Sequence, residues 1–255
     1  MYPATPNRFV FQNYVWGPHY LQYVWSLLAI YASFQVVNHL VKLKLPTLKK
    51  PDVFSFYVLN IAITTAAAYY FVKTTVGSVL GSDSFFLYAN DAFGATNLIV
   101  ALYMCEVMMR NKVPTPLLVH HLVTVVMIYW GFMMRNEPQM DQLLIMLLFA
   151  ALEQPCQIGM ICYRIGSPTV QKIGLWFALI AFGGSRVVNL VAVILLAIKD
   201  WKFYDPSFKV VYPIFVGLIL WAQCMTITIY CSLLQRIYRG SEVVQSEDNE
   251  IARQK

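Results

Sequence analysis

The chain has 255 residues, 58% of them hydrophobic and only 13% charged, about half the ~25% charged fraction of an ordinary soluble domain. Its net charge of +6 is modest and its basic residues fall in short loops, which argues against a nucleic-acid partner and leaves charge the task of setting orientation. The apolar residues come in blocks of about 20, the length that crosses a ~30 Å hydrocarbon core at ~1.5 Å per residue. The sequence therefore predicts an all-α polytopic membrane helix bundle, one domain, with about seven transmembrane helices around a polar central cavity.

Residues 1–19 read as a lumenal interfacial segment, with Phe9, Phe11, Tyr14, Trp16 and Tyr20 as an aromatic belt. No basic stretch precedes a short apolar core there, so a cleavable signal peptide is not expected. The bundle is predicted over 20–238, with spans at Tyr20–Val41, Val53–Val72, Phe85–Met109, Pro114–Met134, Asp141–Tyr163, Ile173–Ile198 and Val210–Leu234. Proline punctuates the joints, at Pro46 and Pro51, Pro114 and Pro116, Pro168 and Pro206, where a first helical turn tolerates it. Connections this short make successive helices antiparallel neighbours. Residues 239–255 are polar and lack aromatics, and a disordered cytosolic tail is expected. The five cysteines lie in or at the ends of apolar spans, too scattered for a zinc site and with no lumenal pair for a disulfide.

Basic residues set the expected orientation. Arg8, Lys73, Arg135, Lys199, Lys202 and Lys209 fall on the N-terminal side. Twelve fall opposite: Lys42, Lys44, Lys49, Lys50, Arg110, Lys112, Arg164, Lys172, Arg236, Arg239, Arg253 and Lys255. The C-terminus is thus expected in the cytosol and the N-terminus lumenal or outside.

Against this apolar background stand His120 and His121, adjacent and about six residues inside the fourth span. Ionisable groups are costly in hydrocarbon and tend to face the protein interior and mark function. By helical rise, His121 falls ~10 Å and Glu153 and Gln223 ~15 Å from the cytosolic edge, whereas Asp91 and Arg186 fall ~9–11 Å from the outer edge. Residues three or four apart share a helix face. Pro116, His120 and Thr124 form one polar row, Glu153, Gln157, Met160 and Arg164 a second, and Gly183, Arg186 and Asn189 a third. Asn90, Gly94 and Asn97 form a fourth beside Asp91. Four stripes of this kind should converge on a cavity. Asp91 and Arg186, at similar depth, are expected to pair across spans three and six, or else Arg186 holds an anionic head group. Glu106, a turn from its helix end, is expected to snorkel and is given no role.

A neutral imidazole acts as base or nucleophile near neutral pH, and a carboxylate such as Glu153 fixes its tautomer. Metal binding is the weaker option, because helical neighbours point ~100° apart and helical zinc pairs use i,i+4 spacing. The catalytic candidates are His120, His121, Glu153 and Asp91. Asn97, Thr124, Gln157, Arg186 and Gln223 are candidates for the cavity wall, and no metal ligands are assigned.

The run His120-His121-Leu122-Val123-Thr124 within a helix, an Asp in the preceding span (Asp91), Glu153-Gln154-Pro155 through Arg164, and Phe182-x-x-x-Arg186 in the next span together resemble the TLC-domain (TRAM/Lag/CLN-type) membrane proteins, over about residues 50–239. That family includes the ceramide synthases, whose paired histidines are essential and which move a fatty acyl group from acyl-CoA to a sphingoid amine. The likeness assigns those histidines to His120 and His121. The chain departs from the ceramide synthases in lacking their acidic Lag motif, homeobox-like domain and long acidic tail, so it resembles the shorter members. The elongase family fits less well, since its His-x-x-His-His box would need histidine where Leu117 stands.

The resemblance implies acyl transfer from acyl-CoA, as co-substrate and not a bound cofactor, to a lipid amine or hydroxyl. The alternative is a non-enzymatic lipid-binding protein that regulates membrane composition or trafficking. Membrane lipids and a long-chain acyl group are the expected partners, a homodimer is left open, and no nucleic acid is expected. The endoplasmic reticulum is the expected location, with Golgi and plasma membrane open.

Overall fold

The computed structural model describes residues 18–81, 87–110, 113–133 and 137–253. The expected belt at Phe9, Phe11, Tyr14 and Trp16 lies outside them, as does the Tyr20 side chain. The described residues form helices and no strand. These are α1 (Pro18–Lys44), α2 (Pro51–Thr75), α3 (Ala89–Met109), α4 (Thr115–Met133), α5 (Glu137–Ala150), α6 (Gln154–Ile165), α7 (Pro168–Asp200) and α8 (Pro206–Arg253). A π-helical turn, Val76–Leu80, extends α2, and a 3₁₀ turn, Trp201–Phe203, follows α7. Pro51, Pro168 and Pro206 open their helices, where the missing N–H is no loss.

Six segments are long and apolar enough to cross a membrane: Leu21–Lys44, Pro51–Leu80, Asn90–Met109, Pro138–Ile165, Pro168–Phe203 and Pro206–Arg239. The seventh expected span, α4, is 19 residues long, and its apolar stretch Thr115–Trp130 is shorter than the others. Chain neighbours pack as expected, and further contacts join α1 to α3, α2 to α5 and α6, α4 to α8, and α5 to α7. Following the contacts from α2 through α6, α7, α8, α4 and α3 back to α2 closes a ring of six helices. α1 packs outside that ring, against α2 and α3. Its outward face carries Trp25, Leu28 and Leu43, all exposed, as a lipid-facing surface requires.

Two sequence expectations are corrected here. The fifth span is not continuous, because Ala151, Leu152 and Glu153 leave the helix between α5 and α6. Pro155, in the first turn of α6, is the cause: it has no N–H to give the Ala151 carbonyl four residues back, and its ring crowds that carbonyl. The second is the tail 239–255, expected to be disordered: its described residues are helical, since α8 continues to Arg253.

The break is held from three sides. Arg186 Nη1 donates to the Phe149 carbonyl at 2.5 Å. Gln154 Nε2 donates to the Ala151 carbonyl at 2.8 Å and to Thr64 Oγ1 at 3.1 Å. Tyr230 Oη donates to the Cys156 carbonyl at 3.1 Å. Non-helical backbone at membrane depth needs such partners because no water reaches it there. Beyond the break, α6 lies hard against α7 through small residues. A Cβ built on Gly159 would sit 2.5 Å from Ala178 Cβ and 2.9 Å from the Gly174 carbonyl oxygen, the close approach that small residues allow between membrane helices.

On the α5 side of the break, Gln142 anchors a separate polar knot. Its Nε2 donates to the Val193 carbonyl at 2.8 Å and to Tyr212 Oη at 3.1 Å. Tyr204 Oη donates to its Oε1 at 3.2 Å.

Candidate functional site

Side chains from all six helices of the ring line a partly open cavity of about 190 Å³. Its wall takes Tyr57 and Asn60 from α2, Glu106 from α3, His120 and His121 from α4, Gln157 from α6 and Gln223 from α8. It reaches Arg110, Pro114 and Pro116, where the chain passes from α3 into α4. Glu153, at the helix break, faces it too. The break therefore carries a carboxylate on irregular backbone into the interior of the bundle.

Both histidines are buried, His121 completely. Each has its own carboxylate. His120 Nε2 is 3.1 Å from Glu153 Oε1, and His121 Nε2 is 3.0 Å from Glu106 Oε2. An ionised carboxylate can only accept, so each Nε2 is the donor in its dyad, and Nδ1 is the nitrogen that carries the lone pair in the neutral ring. Neither Nδ1 has a hydrogen-bond partner. Tyr103 lies between the two dyads. Its hydroxyl is 3.4 Å from His120 Nε2 and 3.5 Å from Glu153 Oε1, and its ring stacks on His121 with centroids 4.0 Å apart.

Positive charge balances both carboxylates. Arg110 pairs with Glu106 one turn along α3. Arg186 Nη2 lies 3.9 Å from Glu153 Oε1, and its guanidinium sits over the Phe182 ring at 4.4 Å. The two acids, two arginines and two imidazoles thus form a nearly neutral cluster, which limits the cost of burying charge.

Several expectations change. Asp91 is not part of this cluster. It stands in the first turn of α3 and pairs with Lys73 at 2.5 Å, with about half of the lysine side chain exposed. The expected Asp91–Arg186 pair is therefore absent, and Arg186 serves Glu153 and the helix break instead. The depth estimate failed because α7 is longer than its apolar core. Arg186 falls near the middle of its 33 residues and reaches the histidine layer. Only three of the four stripes converge. The stripe of α3 turns elsewhere: a Cβ on Gly94 would meet Gln22 of α1, and Asn97 is not part of the cavity wall.

Glu106 does not snorkel. It is 6% exposed and holds His121. Of the predicted wall residues, Gln157 and Gln223 line the main cavity. Thr124 and Arg186 line a smaller compartment beside it. Tyr103 was missed because an aromatic in an apolar helix carries no charge signal, although its spacing of three from Glu106 puts both on one face.

The chain is a multi-pass helical membrane protein with paired imidazole–carboxylate dyads inside its bundle. No protein-family model, curated protein or solved structure matches it significantly.

Proposed function

We propose that the protein is a membrane-embedded acyltransferase that moves a fatty acyl group from acyl-CoA to a lipid amine or hydroxyl. One observation carries the reading: the buried His120 lines the cavity with Nε2 held 3.1 Å from Glu153 and with Nδ1 without a hydrogen-bond partner. That is how a general base is oriented, with a carboxylate fixing the tautomer and stabilising the imidazolium that forms. The resemblance to the TLC-domain family assigns the same histidines.

In the proposed step, Nδ1 of His120 takes the proton from the acceptor's hydroxyl or amine. The acceptor oxygen or nitrogen bonds to the thioester carbonyl carbon, the carbon–sulfur bond breaks, and the leaving thiolate takes the proton from the imidazolium. Asn60 Oδ1 and Arg110 Nε, buried and unpartnered at the cavity wall, would orient the polar reactants. The cavity is smaller than the ~300–1,000 Å³ of a typical ligand pocket. It suits the reacting end of the substrates, with the long acyl chain continuing between helices. On the positive-inside reading, the Arg110 end faces the cytosol, from which acyl-CoA is supplied, and the endoplasmic reticulum is the proposed location.

The test is purified protein supplied with labelled acyl-CoA and a panel of lipid amines and alcohols. Acylated lipid that disappears in His120→Gln supports the reading. No product with any acceptor overturns it in favour of a non-enzymatic lipid-binding protein, whose ligand binding would survive His→Gln changes at both histidines.

A further inference from the structure

Beside the main cavity lies a chamber of about 10 Å³. Five of the nine residues that line it are polar, His120 and Thr124 from α4, Arg186 and Asn189 from α7, and Gln223 from α8, and the rest of the wall is apolar. Each of these five polar residues is more than nine-tenths buried. Four of them carry a buried polar atom without a partner: His120 Nδ1, Thr124 Oγ1, Asn189 Oδ1, and both Nε and Nη2 of Arg186. Buried polar groups are normally satisfied, and a group of orphans around one void marks a place built for something polar.

The chemistry of the wall says what fits. A single water needs ~10–15 Å³ and makes two to four hydrogen bonds. Here it would donate to His120 Nδ1 and Asn189 Oδ1 and accept from either the Thr124 hydroxyl or the Arg186 guanidinium, which keeps one lone pair of its oxygen free to react. The positive guanidinium disfavours a cation. His120 and Gln223 line both the chamber and the main cavity, so the two spaces meet at these side chains.

We infer that this chamber is a water site and that its water is a second nucleophile, which gives the protein an acyl hydrolase activity toward thioesters held in the main cavity. The inference rests on His120 acting as the base proposed above. The water gives a proton to His120 Nδ1, and its oxygen bonds to the thioester carbonyl carbon. The carbon–sulfur bond breaks and the leaving thiolate takes the proton back. The products are a free fatty acid and a thiol. Transfer and hydrolysis thus share a base and diverge on whether a lipid acceptor or this water reaches the carbonyl first.

The test uses the full-length protein in lipid nanodiscs, with palmitoyl-CoA and a lipid amine in water enriched in oxygen-18. Labelled fatty acid and acylated lipid are counted together. The expected result is labelled acid from the wild type, a fall of roughly tenfold or more in Thr124→Val and in Asn189→Leu, and retention in Thr124→Ser, which keeps the hydroxyl. Melting temperatures of all variants separate loss of the water site from loss of the fold, and labelled acid is compared per folded molecule. Labelled acid formed equally by every variant overturns the inference, because the water then comes from elsewhere. Acylated lipid with no labelled acid overturns it while transfer stands. Labelled acid without acylated lipid supports it and sinks transfer instead, whereas neither product overturns both.

Discussion

Two buried polar clusters flank the break between α5 and α6, and they are finished differently. Around Gln142, both amide atoms are used, and the hydroxyls of Tyr204 and Tyr212 are tied to them. Around His120 and His121, each imidazole is tied at one nitrogen only, and orphaned atoms of Thr124, Asn189 and Arg186 lie alongside. A saturated network fixes helix positions and has nothing left to offer a substrate. An unsaturated one keeps a lone pair ready at the cost of incomplete bonding, and such costs are found at functional sites. The contrast separates polar residues that hold a membrane bundle together from those that act in it.

The sharpest way to break this comparison is His120→Gln. The amide keeps the bond to Glu153 and loses the basic nitrogen, so acyl transfer should fall ~10²–10⁴-fold with little change in melting temperature in detergent. A variant that melts early instead would make His120 a structural residue like Gln142. Next comes Arg186→Met, which removes the cation beside the Glu153 carboxylate and the side-chain donor to the Phe149 carbonyl. Removing one partner of a buried pair costs about 3–5 kcal/mol, read by thermal unfolding. Glu153→Gln in the same chain should recover much of it, whereas Asp91→Asn should recover none.

Gln142→Leu tests the saturated side. It takes the donor from the Tyr212 hydroxyl and leaves Tyr204 Oη only the Leu196 carbonyl at 3.5 Å, at about 1–3 kcal/mol, while activity per folded molecule stays at the parent's level. The smallest effect is expected from Asp91→Asn. Its partner Lys73 is half in solvent, where an ion pair contributes little, so neither melting temperature nor activity should move. A large loss of activity in that variant would return Asp91 to the site.

The all-helical architecture and the two histidines were legible because apolar blocks and charges buried within them are the strongest signals a membrane sequence carries. Of the row Glu153, Gln157, Met160 and Arg164, the first three line the cavity and Arg164 does not. What failed was depth and pairing. Counting rise from the ends of an apolar block misplaces a residue when the helix outruns that block, as α7 does at Arg186. Glu106 was misread because a carboxylate near a helix end can snorkel or turn inward, and only the position of His121 on the next helix decides which. The break was signalled by Gln154-Pro155, but the apolar run from Asp141 to Tyr163 outweighed it.

That break also has a consequence for how the sequence can change. A continuous helix transmits any inserted or deleted residue along its whole length as a ~100° rotation. Here the three residues Ala151–Glu153 interrupt the helical ladder, so α5 and α6 each keep their own phase. A length change confined to Ala151 or Leu152 would re-aim Glu153 while leaving Gln142 in register with Tyr204 and Tyr212. The carboxylate that orients His120 is thus mounted on the one stretch of that span that lies outside the helical ladder.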